Sequence, residues 1–142
     1  MKVVGRSITV SGSGTAILDT NTIIALWHGK GNADTLVSQF DYLCLPLHVL
    51  GELYYGAFQG STNQALLEKI AQLLERFNLL LPDAQTAHAY GTLKAELRSV
   101  GALIPESDIW IASCAIRYGL PIITRDKHFE RVPGIVVHAW EM

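Results

Sequence analysis

The stretch "LIPESDIWIASCAIRYGLPIITRD", residues 103–126, contains a complete helix–turn–strand unit with one aspartate at each end. Pro105 suits the first turn of a helix, because its missing N–H would have no partner there and its φ is already helical. Gly119 supplies the left-handed residue that stops a helix. "PIIT" (121–124) is short, apolar and β-branched, so it reads as a buried strand. Asp108 therefore falls in the first turn of a helix, and Asp126 lies two residues past a strand.

The same alternation runs through the rest of the chain. "AILD" (16–19) is a strand, followed by a helix over "TNTIIALWHG" that stops at Gly29. A short helix is expected over 31–40 and a strand over "YLCL" (42–45). Pro46 opens the helix carrying "LHVLGELYYGAFQ". Residues 63–77 place Leu66, Leu67, Ile70, Leu73, Leu74 and Phe77 on one helical face. "NLLL" (78–81) is the third strand. Asp83 caps a helix that runs to about Val100 and closes at Gly101. "IVVH" (135–138) is the fifth strand. Continuous apolar strands alternating with helices predict a parallel sheet covered on both faces, a three-layer α/β/α domain. Ligands bind such sheets beyond the strand C-termini, where the strand order reverses.

The 142 residues suit one domain, expected over 16–142, with residues 1–15 as an N-terminal extension set off by the Gly/Ser-rich "VSGSGT" (10–15). "GSGTA" (12–16) lacks the third glycine of a dinucleotide loop and the Lys-Ser/Thr of a phosphate loop, and reads as a flexible turn. With 49% hydrophobic and 17% charged residues the chain is globular and apolar for its size, which suggests surface buried against a partner. No apolar run reaches the roughly 20 residues of a membrane span. The start carries no signal-peptide core. Two cysteines, both in apolar settings, fit reduced thiols in a cytoplasm. A net charge of −2 does not advertise nucleic-acid binding, so such binding needs a local basic patch.

Four acids share one address in this topology. Asp19 ends the first strand, Asp126 follows the fourth, Asp108 starts the helix that precedes the fourth, and Glu52 lies in the second turn of the helix after the second strand. Each has an ordinary reading of its own: Asp19 as a helix cap, Asp108 as an acid at a helix N-terminus, Asp126 as the opening of the turn "KHFERV". Glu52, among the apolar neighbours of "VLGELYYGA", is expected to be buried and in need of a counter-charge. Clustered carboxylates call for a cation, and an all-oxygen set selects a hard one, Mg²⁺ or Mn²⁺. Such ions serve phosphodiester cleavage. No His/Cys pair has zinc spacing. Ser113 and Cys114 lie mid-helix on apolar ground and make poor nucleophiles. His28, His48 and His88 are scattered, whereas His128 lies closer to the acids.

"AILDTNTIIAL" (16–26), "PLHVLGELYYGAFQGS" (46–61) and "LIPESDIWIASCAIRYGLPIITRDKHFERVPGI" (103–135) together resemble the PIN-domain ribonucleases, above all the VapC toxins of toxin–antitoxin pairs. The resemblance implies a five-stranded parallel sheet of order 3-2-1-4-5, a homodimer, and Mg²⁺- or Mn²⁺-dependent endoribonuclease activity. It maps the catalytic, metal-holding carboxylates onto Asp19, Glu52, Asp108 and Asp126, with Asn21, Thr124 and Ser107 supporting the site. Ser107 stands where the family often has Asn, and His128 where some members carry a further acid. Arg125, Lys127, His128 and Arg131 follow the site and could meet the RNA backbone. The partner implied is a VapB-like antitoxin, which forms a higher hetero-oligomer and lays a helix and tail over the toxin. Leu26, Trp27, Tyr54, Tyr55 and Phe58 are candidate groove residues for it, with ordinary core packing as the alternative. A PIN-like RNA-binding or regulatory module without cleavage is the rival reading.

Overall fold

The computed structural model describes residues 14–142 together with the strand Lys2–Val4; residues 5–13, which hold most of the expected extension and its Gly/Ser junction, lie outside the described residues. The elements are β1 (Lys2–Val4), β2 (Thr15–Leu18), α1 (Thr20–His28), α2 (Ala33–Val37), β3 (Tyr42–Pro46), α3 (Leu47–Phe58), α4 (Gln64–Arg76), β4 (Asn78–Leu80), α5 (Ala84–Ser99), α6 (Glu106–Tyr118), β5 (Ile122–Thr124), a 3-10 turn (Lys127–Arg131) and β6 (Val137–Ala139). The sheet is six-stranded in the order β1-β4-β3-β2-β5-β6, with every pairing parallel. Counted from β2, the five regular strands have the order 3-2-1-4-5. Strand β1 adds an outer edge beside β4, with Lys2 opposite Asn78 and Val4 opposite Leu80.

All residues of β2, β4 and β5 are buried. Successive side chains of a strand point to opposite faces, so both faces of the sheet are covered and the layers are α/β/α. Ile17, Leu18, Leu45, Leu80, Ile122 and Ile123 form the centre of the core, closed by Ile23, Ile70, Ile109 and Ile111 from the helices.

The helix ends follow local chemistry. Gly29 and Gly119 stop α1 and α6 at φ 61° and 66°, where a side chain would be strained. Asp83 and Thr86 form a reciprocal capping box on α5. The Arg117 guanidinium, in the last turn of α6, also donates to Asp83 at 2.8 and 3.0 Å, tying the two helices. Most element bounds fall within one residue of expectation, and two differ by more. The second helix keeps only Ala33–Val37, and the last strand starts at Val137 rather than residue 135. Among the described residues no helix is long and apolar enough to cross a membrane.

Candidate active site

The strand order reverses between β2 and β5. Pairing of Ile17 with Ile122 and Leu18 with Ile123 brings the two C-terminal ends flush. Asp19 leaves β2 at this point as the N-cap of α1. One of its carboxylate oxygens accepts the Thr20 N–H at 2.7 Å. The other accepts the Thr124 hydroxyl at 2.9 Å and the Asn21 amide at 3.0 Å. Thr124 is fully buried and acts as a hub: its hydroxyl oxygen also accepts the Asp126 N–H at 2.9 Å and the Asn21 amide at 3.1 Å. The Asn21 carbonyl oxygen in turn accepts the Arg125 N–H at 3.0 Å.

Trp140, which sequence reasoning passed over, closes this network from behind. Its indole N–H donates to Thr22 at 3.0 Å and to Asn21 at 3.2 Å, and the Thr22 hydroxyl donates to the Ile123 carbonyl at 2.7 Å. Nothing in the local sequence "VVHAWEM" signals this role, because both partners lie more than a hundred residues away.

Asp108 and Asp126 meet around His128. The imidazole Nδ1 lies 3.0 Å from an oxygen of each carboxylate. The Asp126 carboxylate also accepts the His128 N–H at 2.9 Å, opening the 3-10 turn. One ligand atom from each of these three residues falls within 4.8 Å of the others. His128 is therefore part of the acidic cluster, more centrally than its sequence position indicates.

Glu52 corrects one expectation. It is exposed, not buried, because α3 turns Val49, Leu50 and Leu53 to the core and leaves position 52 on the outer side. It reaches the rim through the Thr20 hydroxyl, which donates to it at 2.8 Å. Ser107 is half-buried and makes no side-chain hydrogen bond among the described residues. Arg125 and Lys127 are exposed, with the Arg125 guanidinium 5.4 Å from the Trp140 ring centre. Arg131 points elsewhere, donating to the Leu103 carbonyl at 3.3 Å.

Burial dominates the electrostatics. It pushes the Asp19 carboxyl up from 3.8 to about 6; the bonds from Thr124 and Thr20 oppose this, and the charges of Asp108 and Glu52 add to it. Burial likewise raises Asp108, against the hydrogen bond from His128, with Asp126 and Glu52 adding repulsion. Asp108 thus feels the charges of Asp126 and Glu52, and Asp19 those of Asp108 and Glu52. The donor set, carboxylate oxygens with one imidazole, fits a hard divalent cation, whose charge would relieve the repulsion. By contrast, burial pushes the Cys44 and Cys114 thiols up to about 12, so neither is a nucleophile.

A cavity of ≈ 320 Å³ adjoins the rim between α1, α3 and α4, lined by Thr20, Ile24, Trp27, Glu52, Leu66 and Lys69 among others. Of the candidate groove residues, Trp27 lines it, Leu26 and Tyr54 pack against the core, and Tyr55 and Phe58 are exposed.

Comparison with known proteins accords with this geometry. The PIN domain family matches residues 16–135. The chain is 34% identical over 131 residues to Ribonuclease VapC2 of Haemophilus influenzae, the match covering 87% of this chain and 96% of that protein. It is 31% identical over 129 residues to the tRNA(fMet)-specific endonuclease VapC of Salmonella typhimurium, with coverage of 87% and 96%. Among solved structures, a chain of VapBC-1 from nontypeable Haemophilus influenzae superposes with a TM-score of 0.81 at 31% identity, covering 89% of this chain and 98% of that one. A chain of the DNA-bound VapBC from Salmonella typhimurium gives a TM-score of 0.79 at 28% identity, with coverage of 90% and 99%.

Proposed function

The chain belongs to the PIN-domain family as a VapC ribonuclease, the toxin half of a VapBC toxin–antitoxin system, and from that premise we propose that Asp19, Glu52, Asp108 and Asp126 are its catalytic carboxylates. The observation that carries this reading is their convergence at the β2/β5 switch point, with burial and mutual repulsion holding Asp19 up at about 6. These four acids would hold Mg²⁺ or Mn²⁺. When bound, such an ion neutralises phosphate oxygens and acidifies water for phosphodiester hydrolysis.

The chain's own residues supply the positioning. Thr124 and Asn21 fix one oxygen of Asp19 and leave the carboxylate no freedom to turn inward. The same threonine hydroxyl holds the Asp126 backbone, so the ends of β2 and β5 keep a constant spacing. His128 bridges Asp108 and Asp126 and keeps the two carboxylates from springing apart. Arg125 and Lys127, exposed directly after β5, would meet the RNA backbone and offset the acidic rim.

A VapB-like antitoxin would cover the cavity at Trp27 and set a basic side chain against the acids, which electrostatic complementarity favours. A homodimer, and a cytoplasmic setting that keeps Cys44 and Cys114 reduced, belong to the same proposal. The test is cleavage of total RNA by the purified chain in Mg²⁺ or Mn²⁺ and then in EDTA. Cleavage only with metal supports the reading. No cleavage under any of these conditions would leave a silent RNA-binding or regulatory module.

A further inference from the structure

Trp140 makes one hydrogen bond more than its packing needs. It is 5% exposed, and a buried indole N–H requires an acceptor. The Thr22 hydroxyl oxygen supplies one at 3.0 Å. The same N–H also reaches the Asn21 carbonyl oxygen at 3.2 Å, and Asn21 belongs to the carboxylate site. Core packing accounts for the first bond and leaves the second without a reason.

Both acceptors lead to Asp19. The Thr22 hydroxyl proton is committed to the Ile123 carbonyl at 2.7 Å, and that carbonyl also accepts the Asp19 N–H at 3.2 Å. This arm holds the Asp19 backbone. The other runs through the Asn21 side chain, whose amide donates to an Asp19 oxygen at 3.0 Å and to the Thr124 hydroxyl at 3.1 Å. An asparagine amide turns softly about its last side-chain bond, between two opposite orientations. Asn21 is only half-buried, so packing alone does not choose between them. Its oxygen faces two N–H donors, the Trp140 indole and the Arg125 backbone. Turned over, Asn21 would set its amide against those donors and its oxygen against the Asp19 carboxylate. The indole N–H thus helps to select the orientation that gives Asp19 a donor. A carboxylate has about four acceptor sites. Thr20, Thr124 and Asn21 fill three of them, which fixes the group and leaves one for a cation.

The tail that carries Trp140 is itself clamped. The Asn32 N–H donates to the Glu141 carbonyl at 2.8 Å, and the Glu141 N–H donates back to the Asn32 side-chain oxygen. Gly31, at φ 56°, lies so close to the Glu141 carbonyl that a Cβ would collide with it. We propose that Trp140 is a positioning residue for the carboxylate site: through the Asn21 amide, its indole N–H sets the Asp19 carboxylate for the cation. The proposal rests on the metal-nuclease reading, and the test separates the two.

The experiment measures Mn²⁺ affinity without RNA, from the electron paramagnetic resonance signal of the free ion, and RNA cleavage at limiting Mn²⁺. The proteins are wild type, Trp140→Phe, Asn21→Ala, the double variant and Gly31→Ala, each checked for folding by melting in EDTA. Trp140→Phe keeps an aromatic ring in the core and loses the N–H. It should weaken Mn²⁺ binding roughly tenfold, the low end of the loss when a ligand-orienting group is removed, and cleavage should fall with it. Asn21→Ala should weaken binding roughly 10- to 100-fold, and adding Trp140→Phe to it should cost nothing further, because the two residues act in one chain. Gly31→Ala leaves the ring and Asn21 intact and should weaken Mn²⁺ binding in the same direction by loosening the tail. Wild-type Mn²⁺ affinity in Trp140→Phe would overturn the proposal; should that variant not fold, wild-type affinity in a folded Gly31→Ala would do so. So would a loss that persists in full in the Asn21→Ala background, which would make Trp140 a merely structural residue. A wild type that binds Mn²⁺ but cuts no RNA would refute the nuclease reading, while coupling of Trp140 to Asn21 in the affinities would still support the positioning role.

Discussion

Asp19→Asn should make the metal-free protein more stable, and the size of the gain can be worked from the site. Asp19 is only 4% exposed, and burial raises its carboxyl from 3.8 to about 6. At 1.36 kcal/mol per pH unit, that difference costs the fold about 3 kcal/mol wherever the carboxyl is ionised. The sign follows from proton binding. Between about 4 and 6 the folded protein holds the Asp19 proton more tightly than the unfolded chain does, so stability falls as pH rises through that window. Above pH 6 the penalty is complete; below about 4 it is gone.

Asparagine removes the charge but keeps an oxygen for the Thr20 N–H. It sets an amide where the other oxygen accepted the Thr124 hydroxyl and the Asn21 amide, losing two hydrogen bonds at a cost of about 2 kcal/mol. The net gain is about 1 kcal/mol, or roughly 3 °C in melting temperature for a chain of this size. The assay is a set of thermal melts of wild type and variant in EDTA at pH 7.5, 6 and 4.5. The variant's advantage should be greatest at pH 7.5 and should shrink towards pH 4.5. Saturating Mn²⁺ should reverse the order, because only the wild type keeps the full ligand set; at a hundred times Kd the ion adds about 2.7 kcal/mol. A variant that melts below wild type in EDTA, by the same margin at every pH, would refute the account of Asp19 as a strained carboxylate.

Other outcomes follow from the same contacts. Thr124→Val removes the hydroxyl that serves Asp19, Asn21 and Asp126 and leaves the Asp126 N–H without that acceptor; chemical denaturation should show a loss of about 1–3 kcal/mol. The same variant should lower the cleavage rate roughly 10- to 100-fold, as loss of a ligand-orienting group does. Asp83→Ala breaks the α5 capping box and the Arg117 bridge, both remote from the acids, so melting temperature should drop while kcat/KM stays at the wild-type value. Deleting residues 1–13 removes β1, at the edge of the sheet three strands from β2, and metal-dependent cleavage should persist near the normal rate.

Most of the sheet was legible because its strands are short apolar runs punctuated by proline and glycine, which local chemistry dictates. Asp19, Asp108 and Asp126 could be placed because each sits at an element end, where the topology alone fixes its position. Glu52 was misjudged. Its sequence neighbours are apolar, but a helix sorts neighbours by angle, and position 52 falls on the outer side between Leu50 and Leu53. Trp140 and His128 show the other limit: their roles depend on partners brought close only by the folded sheet. The outer strand β1 was hidden for a related reason, since Lys2–Val4 pairs with β4, and that pairing leaves no mark in the local sequence.

The most direct test of the four-carboxylate site is the initial rate of RNA cleavage in saturating Mn²⁺ by wild type and by Asp126→Asn, with folding of both checked by melting. Asp126 offers a carboxylate to the cluster with Asp108 and His128, while its backbone N–H, not its side chain, makes the bond to Thr124. The variant should therefore stay folded and lose cleavage by roughly two orders of magnitude or more, the scale of loss seen when one preorganised transition-state-stabilising group is removed. A folded Asp126→Asn protein that cuts RNA at the wild-type rate would contradict the account.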